Sequence, residues 1–265
     1  MSILLNSLYT KYGIFTLPHG KIGDYLGDVY EDFINEIFKD IATVQSWPNH
    51  SLERYIVDQL FGYLQLNYND IVAISSSRKG IPLTANGGTP KTDVHLKIIL
   101  KDHTTIVVPL NVKQSTKDRV TFAEYDVATI INAISITDPK VIQLLEKHQY
   151  DASAKNFTKA EKDYLRTNLA PHVRSLVRWC ITLWPYPTSQ DIRYPEYVIR
   201  FDLHHPKDNP SLAHQFKAVT LYNIDEYIDK IMLDLKGKPR TGGFGTGLTW
   251  TYAKGSKGYK IQFKA

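Results

Sequence analysis

One stretch, Pro90 to Gln114, constrains the fold of this chain more than any other. Asp93-Val94-His95-Leu96-Lys97-Ile98 alternates polar and apolar side chains, the two-residue period of a half-buried strand. Lys101-Asp102-His103-Thr104 is a polar break of turn length, and Ile106 to Leu110 is apolar and rich in β-branched residues, as a buried strand would be. The two segments read as an antiparallel hairpin. Strand alternation puts Asn111 and Lys113 on one face of the second strand. With Asp93 on the same side, a carboxylate, an amide oxygen and an ammonium converge. Oxygen donors of this kind suit a hard divalent cation, and a lysine beside them suits a phosphate or an attacking water. The pattern Asp-x17-Asn-x-Lys is loose, and ordinary solvated charges at strand ends account for it as well. On spacing alone both readings stay open.

Length and composition bound the rest. The chain has 265 residues, 43% of them apolar, enough for one large domain or a domain with a subdomain. No apolar run approaches the roughly 20 residues that span a bilayer, and the amino-terminal residues lack the basic start and apolar core of a signal peptide. Cys180 is the one cysteine, which excludes an internal disulfide and a cysteine-rich zinc site. A cytoplasmic, membrane-free location is expected. The net charge of +5 is unevenly spread. From Leu235 to Ala265 there is no Asp or Glu, while Lys236, Lys238, Arg240, Lys254, Lys257, Lys260 and Lys264 are basic. Interleaved aromatics give Leu248–Tyr252 and Tyr259–Phe263 the composition of strands, so an ordered element facing a polyanion competes with a solubilising tail.

The order of elements follows from periodicity. Residues 1–12 read as a short helix, and Leu26, Val29, Tyr30, Phe33, Ile34, Ile37 and Phe38 form the apolar stripe of a helix over 24–40. Glu31 lies off the centre of that stripe, as a solvated acid or as an acid leaning toward a metal site. Ser51 is expected to cap a helix over 52–66 with Glu53 and Arg54 on its polar side, and residues 70–75 a short strand. Arg78 and Lys79 in the following loop are candidate phosphate ligands. Gly87 and Gly88 in the loop 85–90 fit either a plain turn or a close approach to a ligand. Thr121, with Glu124 three residues on, predicts a capping box that starts a helix over 122–134. Helices over 138–149, 158–169 and 171–183 follow, then strands over 197–203 and 215–221. His204 and His205 are adjacent, so on a strand they would point apart and form no metal pair. A helix from Asn223 to Leu235 leads into the basic segment. The sum is an α/β chain with a mixed central sheet flanked by helices and a basic C-terminal strand and loop element.

At this point the residues carry a resemblance. A strand-borne Asp, then a strand ending in an acid-or-amide, any residue and Lys, then a helix, resembles the PD-(D/E)xK nuclease superfamily. Gly87-Gly-Thr-Pro-Lys-Thr-Asp93, Val108-Pro-Leu-Asn111-Val-Lys113, Ala123-Glu-Tyr-Asp-Val127, Phe244 through Ala253 and the ending Gln262-Phe-Lys264 are similar to the MspI restriction endonuclease family. So are Lys147-His-Gln149, Ser153-Ala-Lys155 and Arg178-Trp-Cys180, in the same order through nearly the whole chain. The resemblance implies one endonuclease domain over 1–265, with a catalytic core about 24–135 and a DNA-recognition segment about 236–265. It implies a type II restriction endonuclease that hydrolyses double-stranded DNA at 5′-CCGG-3′ with Mg2+, alongside a cognate DNA methyltransferase of the same restriction-modification system. Asp93 would bind the metal, Asn111 would take the place of the second acid, the carbonyl of Val112 would add an oxygen, and Lys113 would assist the attacking water. One firmly held metal is expected. The chain departs from the family at Gln114, where the family carries histidine, and matches it less well over 191–218.

Reading G·C pairs needs donors for guanine and acceptors for cytosine. Gln262 and Lys264, alternate residues of one strand, have that chemistry beside Thr251 and Thr121. Lys254, Lys257 and Lys260 are expected on phosphates. Deleting the chain from Ser256 is expected to abolish specific binding and to leave the fold largely intact. A repair or junction nuclease of the same superfamily, and a DNA-binding protein whose catalytic site has decayed at Asn111, are the competing readings.

Overall fold

The computed structural model describes residues 2–84, 87–117, 119–187, 191–234 and 236–265. The first two residues of the loop 85–90 and the expected helix end at Leu235 therefore lie outside the described residues. From the amino end come α1 (Ile3–Lys11), α2 (His19–Ile37), α3 (Ile41–Ser46) and α4 (Leu52–Leu64). Strands β1 (Ile71–Ser77), β2 (Val94–Leu100), β3 (Thr105–Ser115) and β4 (Thr121–Tyr125) follow. Next are α5 (Val127–Ile134), α6 (Pro139–Asp151), α7 (Lys159–Leu169), α8 (Val173–Thr182), β5 (Tyr197–Leu203) and β6 (Phe216–Asn223). Helix α9 (Ile224–Met232) and strands β7 (Thr249–Thr251) and β8 (Ile261–Lys264) complete the order. Two compact units result, residues 1–117 with 191–223, and residues 118–190 with 224–265.

The first unit holds a five-stranded sheet in the order β1-β2-β3-β5-β6. Its β3–β5 pair is parallel and the other pairs antiparallel, so the sheet is mixed, and β2 and β3 form the expected hairpin. Val94, Leu96 and Ile98 of β2 and Val108, Leu110 and Val112 of β3 share one apolar face. The stripe of α2 belongs to the same core: Val29, Tyr30, Phe33, Ile34 and Ile37 are fully buried. Tyr30 stacks 4.3 Å from Phe201 of β5, ring centre to ring centre. Losing one such ring, as in Phe33→Ala, removes about 3–5 kcal/mol by vacating a packed site.

The second unit holds a three-stranded antiparallel sheet, β4-β8-β7. Ile261 and Phe263 of β8 point inward and are fully buried. Behind them His148 packs edge to face with Phe157, Phe244 and Trp250, and Trp250 packs edge to face with Phe263 at 4.9 Å. The turn that feeds β7 depends on glycine: Gly243 has φ +53, and a Cβ there would collide with the carbonyl of Leu248. Because β8 is the middle strand, deletion from Ser256 removes the centre of this sheet. The expectation that the fold would survive it is thereby corrected.

Several local expectations are corrected too. Residues 121–125 are a strand, not the start of a helix, because Phe122 and Ala123 bury against the unit while the backbone pairs with β8. Helix α5 starts later, where the Asp126 carboxylate accepts from Thr129 N at 2.7 Å. A true capping box occurs at Thr158 and Glu161. The helix expected from 171 begins as a 3-10 turn, Ala170–His172, before α8. Glu53 is buried and accepts from the Ser2 hydroxyl, so it does not share the polar side of α4 with Arg54. Ser51 caps α4 as expected.

Candidate active site and nucleic-acid interface

Asp93 sits one residue before β2, and its N–H donates to the carbonyl of Leu110 at 2.8 Å, carrying the hairpin ladder one step further. Since Val94 pairs with Leu110, that step faces Asp93 toward Asn111. The carboxylate oxygen Oδ2 accepts from Asn111 Nδ2 at 2.9 Å and from the backbone N–H of Val112 at 2.7 Å. Lys113 Nζ lies 3.6 Å from the same oxygen and 3.3 Å from the Val112 carbonyl. Asp93, Asn111, Val112 and Lys113 are thus brought together as the sequence led one to expect. Gln114 alternates to the opposite face of β3 from Lys113, so it does not stand beside the Lys113 ammonium.

Asn111 is fully buried, and its amide orientation follows from its partners. Nδ2 donates both to Asp93 and to the Lys91 carbonyl, two acceptors, which leaves Oδ1 as the other end. That oxygen is buried with no hydrogen-bond partner. A buried acceptor left unsatisfied costs about 1–3 kcal/mol, and such an atom calls for an explanation such as an ion. A carboxylate oxygen, an amide oxygen and the neighbouring Val112 carbonyl make an all-oxygen donor set that fits a hard divalent cation. No cluster of three or more His, Cys, Asp or Glu side chains capable of holding a metal occurs among the described residues. The donor set here contains only one acid, which is why such a cluster is not needed.

Two further side chains bear on this site, an acid that the sequence left between solvent and a metal site and an arginine expected on phosphates. Glu31 of α2 is one: burial, then the charge of Asp93, push its carboxyl up to about 7 against the pull of Arg78. Arg78 is the other. It is no phosphate ligand, because its guanidinium binds Asp28 and Glu31 at 2.5 Å each and also Asp32. The only sequence signal for Glu31 was its position at the edge of the α2 stripe. Arg200 of β5 pairs with Lys113 in parallel register and so shares its face, with Nε 3.0 Å from Asp202 and Nη2 3.3 Å from the Lys117 carbonyl. No local pattern marks it.

In the second unit, the face of β8 opposite Ile261 and Phe263 is polar. Cross-strand register sets Glu124, Gln262 and Thr251 in one row and Thr121, Lys264 and Thr249 in the next. A bulge between Thr121 and Ala123 re-aims Thr121 into its row; without it the strand parity would turn Thr121 inward with Ala123. Gln262 Nε2 donates to Glu124 Oε2 at 2.9 Å, and the Thr251 hydroxyl donates to Gln262 Oε1 at 3.3 Å. Gln262 is only 9% exposed, whereas Lys254, Lys257 and Lys260 stand in solvent. Thr121, Thr251, Gln262 and Lys264 therefore share one sheet face, with the three lysines in the turn between β7 and β8.

Comparison with known proteins is specific. Residues 19–265 match the model of the restriction endonuclease MspI family. The type II restriction enzyme MspI of Moraxella sp is 39% identical over 98% of both chains. The type II restriction enzyme BsuFI of Bacillus subtilis is 26% identical over 94% of this chain and 60% of its own length. A crystal structure of restriction endonuclease MspI in complex with its cognate DNA superposes with a TM-score of 0.88, at 38% identity, covering 100% of this chain and 99% of the other.

Proposed function

We propose, since the chain belongs to the MspI restriction endonuclease family and is a type II restriction endonuclease, that it cuts double-stranded DNA at 5′-CCGG-3′ with Mg2+. The observation that carries the metal-dependent part is the buried Asn111 Oδ1 without a partner beside the carboxylate of Asp93. Asp93, Asn111 and the Val112 carbonyl would hold the ion. When bound, Mg2+ supplies polarisation of the attacking water and of a scissile phosphate oxygen.

The chain's own residues do the rest. Lys113, its ammonium held 3.6 Å from Asp93, is set to stabilise the negative charge that builds on phosphorus in the transition state. Asn111 fixes Asp93 by donation while adding no second charge. Lys254, Lys257 and Lys260 neutralise phosphates and contribute affinity without sequence preference. Gln262 and Lys264, with Thr121 and Thr251 beside them, read base edges, lysine donating to guanine O6 and N7. No helix among the described residues is long and apolar enough to cross a membrane. A cytoplasmic setting, with a cognate DNA methyltransferase that protects the host's own sites, completes the reading.

The test is a digest of methylated and unmethylated plasmid with and without Mg2+, followed by sequencing of the ends. Ends at CCGG that require the metal are expected. Ends at another sequence would overturn the site, and no cutting in any divalent metal would overturn the chemistry.

A further inference from the structure

Glu124 has no capping role, since residues 121–125 are a strand, and its carboxylate is spent on Gln262. The three side chains of that row form a directed chain: the Thr251 hydroxyl donates to Gln262 Oε1, and Gln262 Nε2 donates to Glu124. A primary amide has two ends of nearly equal size. Left to itself, it can turn over and offer a donor or an acceptor at the same place, so it cannot by itself tell one base edge from its complement. A threonine hydroxyl adapts to either end, because it both donates and accepts. A carboxylate only accepts. It is the one member of the row that dictates direction, since turning the amide over would set Oε1 against Oε2.

We propose that Glu124 is a positioning residue for sequence specificity: it locks the Gln262 amide so that one donor and acceptor pattern faces a base pair. The second Nε2 hydrogen and the second Oε1 lone pair remain for the base. A pair in the reverse order would oppose donor to donor and acceptor to acceptor. The inference rests on the base-reading role of Gln262 given above.

The full-length protein is assayed on a set of duplexes that carry the cognate site and every single base-pair change within it. Glu124→Gln keeps the shape but accepts and donates alike, so it frees the amide to turn. Its discrimination at one base pair should fall by about 5- to 150-fold, the range set by the worth of a good base contact, with the thermal midpoint near that of the parent. Gln262→Ala should lose discrimination at that same pair. The double variant should lose no more than Gln262→Ala does. If Gln262→Ala changes the profile and Glu124→Gln leaves it as in the parent, the lock is refuted while base reading by Gln262 stands. If neither variant changes any position, both ideas fall. A uniform loss at all sites together with a lowered thermal midpoint would mean that Glu124 only holds the sheet, which also refutes the proposal.

Discussion

The carboxylate of Asp93 takes its shortest hydrogen bond, 2.7 Å, from the backbone N–H of Val112, whose side chain lies in the apolar face of the sheet. The acid is therefore tied to the frame of β3 itself. Side-chain substitution at 112 would leave that bond intact, whereas a change at Asn111 disturbs the partner that completes it.

Asn111→Asp restores the acid usual in the wider superfamily, but it replaces the Nδ2 donor to Asp93 and to the Lys91 carbonyl by an acceptor. The metal-free protein should lose roughly 2 kcal/mol. Mg2+ should recover most of that loss, seen as a larger metal-induced rise in thermal midpoint than the parent shows. An unchanged metal-free midpoint would contradict the amide orientation described above.

Lys113→Ala should retain DNA binding in a gel-shift assay and lose about 100-fold or more in cutting rate, the usual effect of removing a preorganised charge from a transition state. Full cutting activity would remove Lys113 from the chemistry.

Glu31 supplies a pH dependence. Its carboxyl titrates at about 7, raised by burial and then by the charge of Asp93. An acid whose folded value lies above its ordinary 4.5 binds more protons when folded, so metal-free stability falls as pH rises from 4.5 to 7. A cation beside Asp93 meets the second negative charge only at the upper end of that titration. Mg2+ affinity should rise up to about tenfold between roughly pH 6 and 8, read by calorimetry. Glu31→Gln should flatten the rise; an equal rise in that variant would place its origin elsewhere.

His148 gives the opposite slope. Burial among aromatic rings lowers its titration from 6.5 to about 4, so the folded unit prefers the neutral ring. As pH falls through 6.5 the unfolded chain takes up a proton that the folded one refuses. Stability should therefore drop by something of the order of 3 kcal/mol between the two values and level off below. Urea unfolding at several pH values, followed by tryptophan fluorescence, should show the drop in the parent and a shallower one in His148→Leu.

Replacing Lys254, Lys257 and Lys260 together by alanine should flatten the dependence of DNA affinity on salt, by about 0.9 in log–log slope for each phosphate left without its lysine. Base preference should stay as in the parent. A greater weakening on cognate than on random DNA would show that one of them reads sequence.

How much of the fold and site is legible in the sequence varies with the range of the forces involved. The β2–β3 hairpin and the meeting of Asp93, Asn111 and Lys113 are readable because strand alternation is local and Asp93 lies next to the ladder. The stripe of α2 is readable for the same reason, every member being buried. Residues 121–125 mislead because Thr121 and Glu124 have capping-box spacing, while pairing with β8, far away in sequence, decides the outcome. Arg78, Glu53 and Glu31 take their roles from partners on other elements, and no window of sequence contains both members.

The parallel pairing of β3 with β5, which sets Lys113 beside Arg200, has a kinetic consequence. The β2–β3 hairpin closes over residues 101–104 on a timescale of about 1–10 μs, and β5 and β6 meet across the local connection 204–215. The junction of β3 with β5 must wait for the ends of a connection running from residue 116 to residue 196 to meet, and long-range closure of that kind is what slows folding. The strand that carries Asn111 and Lys113 should gain its second neighbour late, so the reactive face would be among the last parts of the sheet to mature.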